Sequence, residues 1–354
     1  MTLAQAIIDT QALAHNLQQA RIAAPHSRLM AVIKADGYGH GLRAVAKALP
    51  SADGLAVARL EEAIYLRQQG ITQPILLLEG VLDQTELQAA IQHHLQIVIH
   101  QPHQLELLVQ QPQPPHKIWL KLDTGMHRLG FQASEFPAVW SRLTRHYGGE
   151  ILLMSHFANA DDRADPTTHQ QHQRFLELTA HLSNPRSMAN SAALLAWPTT
   201  QQQWVRPGIM LYGTSPFRDS LAAEHGLQAV MTLQSRLIAI NHYAAGDAIG
   251  YSGISRCPVD MRVGIVAIGY GDGYPRHAKP GTPVLLNGQI APLIGRVSMD
   301  MISIDLRQHP QATIGDVVIL WGYGLPAEHI ARHADTITYD LFCKITQRVE
   351  RVYR

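Results

Sequence analysis

Leu29-Met30-Ala31-Val32-Ile33-Lys34-Ala35-Asp36-Gly37-Tyr38-Gly39-His40-Gly41 is the stretch from which the fold can be read. Leu29 to Ile33 form an apolar run of strand length, and Leu42, Val45, Ala46 and Leu49 then recur at i, i+3, i+4 and i+7, one face of a helix. The unit is strand, turn, helix, with Lys34 where the strand gives way to the turn. An ammonium group at the end of a buried strand is partly desolvated, which disfavours its charge and leaves a nucleophilic amine able to form a Schiff base. A lysine that merely snorkels out of a strand end is the plainer alternative. Gly37, Gly39 and Gly41 favour the chemical reading. They permit positive φ and close backbone approach, and the helix that follows is expected to aim its N-terminal N–H groups at a bound anion.

Working outward, strand-length apolar runs recur at 54–58, 74–78, 95–99, 118–122, 151–154, 186–189 and 209–212, which with Leu29–Ile33 makes eight. Helical patterns separate most of them, such as Leu60 to Gln69 stopped by Gly70, and Gln171 to Leu182. Strands alternating with helices argue for a parallel sheet, and eight repeats for a (β/α)8 barrel whose chemistry lies at the C-terminal strand ends. From about Leu227 the texture becomes strands and turns, with a type I′ hairpin signal at Asn287-Gly288. The expected class is α/β plus β: a barrel over 1–226, then a mainly β domain over 227–354 with a short helix near Ala327 to His333.

The totals narrow the function. A formal net charge of +1 with 16% charged residues gives no footprint for nucleic acid or a membrane surface. Two cysteines cannot build a disulfide framework, and Met1 to Asp9 lacks the basic and apolar regions of a signal peptide. A soluble cytoplasmic protein is expected. The 20 histidines are scattered through polar stretches and assemble no three-ligand metal site, so no metal is expected.

Further candidates stand at strand ends. Lys121-Leu122-Asp123-Thr124-Gly125-Met126-His127-Arg128 brings two cations and a carboxylate to the rim that holds Lys34, although Asp123 and Thr124 could simply bond local backbone. His156 ends strand six. Asn190-Ser191 ends strand seven, with Ser191 readable as a helix N-cap. The stretch leading into the eighth run carries Arg206, Gly208 and Ile209, and the β domain offers Tyr251 within Gly250-Tyr251-Ser252-Gly253.

The stretch Ala31 to Gly41 resembles the pyridoxal-phosphate lysine motif of alanine racemases, and the stretches around Lys121, Arg206, Tyr251, Tyr270 and Met299 are similar to motifs of that family. The resemblance implies a homodimer that interconverts L- and D-alanine on pyridoxal 5'-phosphate by two bases, Lys34 for the D-isomer and Tyr251, from the other subunit, for the L-isomer. It implies that Tyr38, Ser191, Gly208 and Ile209 cradle the phosphate beside Asn190. His156 would stack on the pyridine ring and bond the catalytic tyrosine, and Arg206 would face the ring nitrogen. An arginine there cannot accept the proton, which restrains the cofactor as an electron sink. Arg128 and the backbone of Met299 would place the substrate carboxylate, with Lys121 carbamylated to orient Arg128. Tyr270, Arg276 and Arg296 would form the entrance.

Two positions depart from the family pattern. Ser298 stands where many members have cysteine, and Gln347 is matched to an entrance tyrosine that bonds the phosphate, leaving that contact open. D-alanine for peptidoglycan and L-alanine for breakdown are both compatible roles. Rival readings are another or broader amino-acid racemase of the fold, a barrel-type decarboxylase, which would lose the tyrosine base, and a non-catalytic pyridoxal-phosphate carrier, which would not need the β domain.

Overall fold

The structure, a computed structural model, describes residues 3–354; Met1 and Thr2, on which the N-terminal reading began, lie outside the described residues. Strand β1 (Gln5–Ile8) is followed by eight parallel strands that close into a barrel: β2 (Arg28–Val32), β3 (Gly54–Val57), β4 (Ile75–Leu77), β5 (Gln96–Ile99), β6 (Lys117–Lys121), β7 (Glu150–Met154), β8 (Arg186–Ser187) and β9 (Trp204–Val205). Closure is made by β2 against β9, with Arg28 opposite Trp204 and Leu29 opposite Val205. The strands read as continuous apolar runs because helices cover their outer faces and side chains fill the interior. Trp119 on β6 is wholly buried and satisfies its indole N–H on Gln96 Oε1 at 2.7 Å.

The eighth strand differs from the expectation. Ile209–Tyr212 is a 3-10 turn, and the barrel closes through Trp204–Val205. Pro207 has no N–H to continue a ladder, and Gly208, at φ −123 and ψ −95, turns the chain out of the sheet. The amides of Gly208 and Met210 then donate to Ser191 Oγ at 2.8 and 3.3 Å.

The second unit is built on the long strand β10 (Met231–Tyr243). After the small ribbon β11 (Ala248–Ile249) and β12 (Ser255–Arg256) come β13 (Met261–Val266), β14 (Pro283–Leu286), β15 (Gln289–Ile294), β16 (Ile302–Asp305), β17 (Val317–Trp321) and β18 (Glu350–Tyr353). Strands β13, β16, β15, β14, β17 and β10 pair in a ring. The hairpin β14–β15 turns at Asn287-Gly288, both with positive φ, as a type I′ turn requires. Helices occupy Ala327–His333 and Thr338–Cys343.

β1 belongs to this second sheet, although the sequence assigned it to the barrel half. It pairs antiparallel with β10 and parallel with β18, bringing the two ends of the chain together. A strand's partners are set by pairing between distant segments, which its own four residues do not encode. Among the described residues, no helix is long and apolar enough to cross a membrane.

Candidate active site

Lys34 is separated from the end of β2 by Ile33 alone, and the five residues after it turn left-handed. Ala35, Asp36, Gly37, Tyr38 and Gly39 all have φ between 51 and 77. Glycine bears this freely, but Ala35, Asp36 and Tyr38 each cost about 1–2 kcal/mol in that region. Surrounding contacts must therefore offset on the order of 3–6 kcal/mol. The contacts are present. Gly39 N donates to Ala35 O and Gly41 N to Asp36 O, each at 2.9 Å, and Ala35 N donates to Glu62 Oε1 at 2.7 Å. Arg351 Nε donates to Gly39 O at 2.8 Å, and its guanidinium lies 3.5 Å from the Asp36 carboxylate.

The helix that follows, Leu42–Ala48, does not aim at an anion in the cavity, contrary to expectation. Its first N–H, that of Leu42, donates to Asp36 Oδ1 at 2.8 Å. The local carboxylate supplies the negative end that the helix start attracts.

A cavity of about 1090 Å3 opens at the C-terminal ends of the barrel strands. Lys34, Tyr38, Lys121, Arg128, His156, Asn190, Ser191, Arg206, Gly208 and Ile209 all line it. Residues spread over 176 positions of chain thus meet because each follows a strand of one barrel. Asn190, rather than Ser191, is the N-cap of helix Ser191–Ala196, its side chain accepting from Ala193 N at 3.0 Å. Ser191 Oγ is thereby free to tie the 3-10 turn, and a Cβ at Gly208 would come within 2.7 Å of the Tyr38 hydroxyl. Only a glycine lets that hydroxyl and that backbone approach so closely. Asp123 takes the bland role, its Oδ1 accepting from the amides of Gly125, Met126 and His127.

The electrostatics are strongly positive. Arg206 is only 4% exposed; it donates to Ser187 Oγ and to the carbonyl of Ser155, and its Nη2 stands 3.3 Å from His156 Nδ1. Burial brings its guanidinium down to about 10, still charged at neutral pH. Since a guanidinium only donates, Nδ1 of His156 is the acceptor and its proton sits on Nε2. Burial, with the charges of Arg206, Lys121, Arg128 and Lys34, holds His156 well below its ordinary value, so the ring is neutral. Lys121 is 8% exposed, and burial first, then Arg206 and Arg128, lower its amine from 10.5 to about 8. An anionic aldehyde fits this set: a lysine to bond it, cations to draw it in, and small backbone and hydroxyl groups at one end.

Tyr251, Tyr270, Arg276, Arg296 and Met299 do not line their own chain's cavity. Tyr251 is 68% exposed and Met299 53%. Tyr251 is carried by the single turn between β11 and β12, and Tyr270 N and Gly271 N donate to the carbonyls of Ser298 and Met299. Gln347, matched to an entrance tyrosine, makes no contact there. It is exposed and outside the cavity wall, whereas Tyr339, on helix Thr338–Cys343, lines the wall with its ring 5.8 Å from that of Tyr38. Sequence reasoning missed Tyr339, because the helix that presents it docks on the barrel from a distant part of the chain.

The closed barrel, its cation-rich rim around one lysine and the attached β domain define a two-domain barrel enzyme whose chemistry is built on an amine. Residues 8–216 match the family model "Alanine racemase, N-terminal domain" and residues 230–353 match "Alanine racemase, C-terminal domain". The chain belongs to the alanine racemase family. It is 53% identical to alanine racemase of Nitrosococcus oceani, covering 99% of each chain, and 49% identical to that of Photobacterium profundum over the whole of both. Among solved structures it is similar to the biosynthetic alanine racemase of Pseudomonas aeruginosa, with a TM-score of 0.97, 45% identity and full coverage of both chains. It is also similar, at TM-score 0.90, 28% identity and full coverage of both chains, to the Bartonella henselae enzyme solved with covalently bound pyridoxal phosphate.

Proposed function

We propose that this protein interconverts L- and D-alanine as a homodimer with pyridoxal 5'-phosphate held at Lys34. The observation that carries the proposal is the division of the site. One cavity gathers Lys34, Lys121, Arg128, His156 and Arg206, while Tyr251 and Met299 stand exposed on the β domain outside it. Racemisation needs a proton removed from one face of the α-carbon and another returned on the opposite face. Lys34 serves one face from the barrel, and Tyr251 of a second copy serves the other. When bound, the cofactor supplies a conjugated ring that stabilises the electron pair left at the α-carbon. Tyr38, Ser191, Gly208 and Ile209, beside Asn190, would hold its phosphate.

Arg206 keeps a fixed positive charge in the barrel and holds His156 in the tautomer that points Nε2–H away from it. That N–H stabilises a phenolate, so Tyr251 can work as a base although a free phenol titrates near 10. Arg128 and the backbone of Met299 from the second copy orient the substrate carboxylate, and Tyr270, Arg276 and Arg296 narrow the entrance. Lys121, as its carbamate, orients Arg128 and relieves the crowding of cations.

The test follows α-proton exchange and optical inversion for a panel of amino acids in wild type and Tyr251→Phe. The variant should keep exchange from D-alanine and lose inversion; full inversion without the phenol would refute the two-base assignment. Mixing inactive Lys34→Ala and Tyr251→Phe proteins should restore activity through hybrid dimers. No recovery after demonstrated subunit exchange would refute the shared site.

A further inference from the structure

We propose that Glu62 is a positioning residue for the reaction, fixing Lys34 by tying the left-handed turn after it to the end of the neighbouring strand; the proposal rests on the reading of Lys34 as the cofactor lysine. Glu62 lies in the first turn of helix Leu60–Gln68, after β3, and its carboxylate faces three backbone donors from two segments. Oε1 accepts from Ala35 N at 2.7 Å, and Oε2 accepts from Ala58 N at 2.9 Å and Arg59 N at 3.2 Å. The first of these is the amide that directly follows Lys34. The other two belong to the loop leaving β3, whose Ala56 O accepts from Ile33 N at 2.8 Å just before the lysine. Lys34 is therefore held on one side by the sheet ladder and on the other by one carboxylate.

The chemistry of the contact requires a carboxylate. All three groups facing it are donors, and an ionised carboxylate has two oxygens that only accept. An amide in its place would turn its own NH2 towards one of the two segments and lose that tie. An aspartate would keep the charge near the helix start but is one methylene too short to reach both segments. Without the tie, Ala35 and Asp36 can relax from the left-handed region that non-glycine residues avoid. The base of the Lys34 side chain would then shift relative to the cavity wall. Arg351 contacts Gly39 O and the Asp36 side chain, and neither contact replaces the one made at the first peptide of the turn.

Glu62→Gln and Glu62→Asp holoenzymes are compared with wild type and with Asp83→Ala. In that control the lost carboxylate accepts only from Glu86 N at the start of the next barrel helix, remote from the turn. Amide exchange over residues 34–41 should rise at least about tenfold in both Glu62 variants, with 96–99 unchanged, as local opening of one segment predicts. For alanine, kcat should fall on the order of 10–100-fold, as misplacement of a reacting group does, while KM stays within about threefold. The pH titration of the bound cofactor's visible band should shift in the Glu62 variants and not in Asp83→Ala. Should Glu62→Gln fail to fold, Glu62→Asp carries the same comparison. Wild-type exchange over 34–41, or a kcat loss no larger than that of Asp83→Ala, overturns the proposal. The underlying reading fails separately: Lys34→Ala that still retained covalently linked cofactor after borohydride reduction would refute it, whatever the exchange at Glu62.

Discussion

His40 offers a direct measurement of how tightly the turn around the lysine is packed. Its ring is wholly buried, 4.8 Å from Tyr212 and edge-on to Phe342 at 5.0 Å, and its Nδ1 donates to Tyr38 O at 2.8 Å while Nε2 has no partner. Burial, with the charge of Arg351 adding to it, outweighs the hydrogen bond to Tyr38 and lowers the imidazole from 6.5 to about 4. The folded value lies below the unfolded one, so this contribution to stability is complete above pH 6.5 and is lost as pH falls towards 4. With those two values, protonation of the unfolded chain costs the fold about 2 kcal/mol at pH 5 and about 3 kcal/mol at pH 4. His40→Asn places an amide donor where Nδ1 stood and removes the titration. The variant should be the less stable protein at pH 7, because it leaves a void beside Tyr212 and Phe342. Its deficit should then shrink by about 2 kcal/mol at pH 5, because only the wild type pays for the proton. Urea melts of both proteins at equal concentration from pH 5 to 7.5 provide the comparison, and taking the difference cancels the other histidines. A difference that stays within about 0.5 kcal/mol across this range would refute the claim that His40 is buried neutral.

Two further predictions concern the turn and its neighbouring cation. Gly39 and Gly70 have nearly the same positive φ, 77 and 78, but an added Cβ would lie 2.1 Å from Phe342 O at Gly39 and meets nothing within 4 Å at Gly70. Gly70→Ala should cost about 1 kcal/mol from backbone strain alone, and Gly39→Ala over about 3 kcal/mol in denaturant melts; equal losses would refute the close docking of helix Thr338–Cys343 on the turn. A lysine amine lowered from 10.5 to about 8 has roughly 300-fold more neutral form at pH 7, and only that form captures CO2. Labelled bicarbonate should give a carbamate NMR signal, absent in Lys121→Ala, that forms faster at pH 8 than at pH 6; no signal in the folded wild type would refute carbamylation.

Much of the architecture was legible because burial leaves a local record. Parallel strands covered on both faces read as apolar runs, and seven of the eight runs named from sequence overlap the observed barrel strands, each starting within one residue of the strand. The eighth failed at Pro207-Gly208, where a missing N–H and an unusual glycine conformation end the strand early. The rim residues were legible for the same reason, since a barrel puts its strand ends on one face. Gln347 and Tyr339 show the opposite case. Both lie near the end of the chain, and which of them reaches the cavity depends on how helix Thr338–Cys343 docks against Tyr38 and Gly39.

By itself, then, the sequence determined the alternation of strands and helices, the change to β texture after residue 226, and the lysine at a strand end. These follow from short-range patterns of burial and turn chemistry that neighbouring residues carry. Only the tertiary structure decided that β1 joins the second sheet and that Asp36, not a ligand, faces the helix start. It also decided that Ala35, Asp36 and Tyr38 share the left-handed load with the glycines, under ties from Glu62 and Arg351. The physical reason is distance along the chain. A residue in an unfavoured backbone region is held there by partners 27 and about 310 positions away, and no local pattern records them.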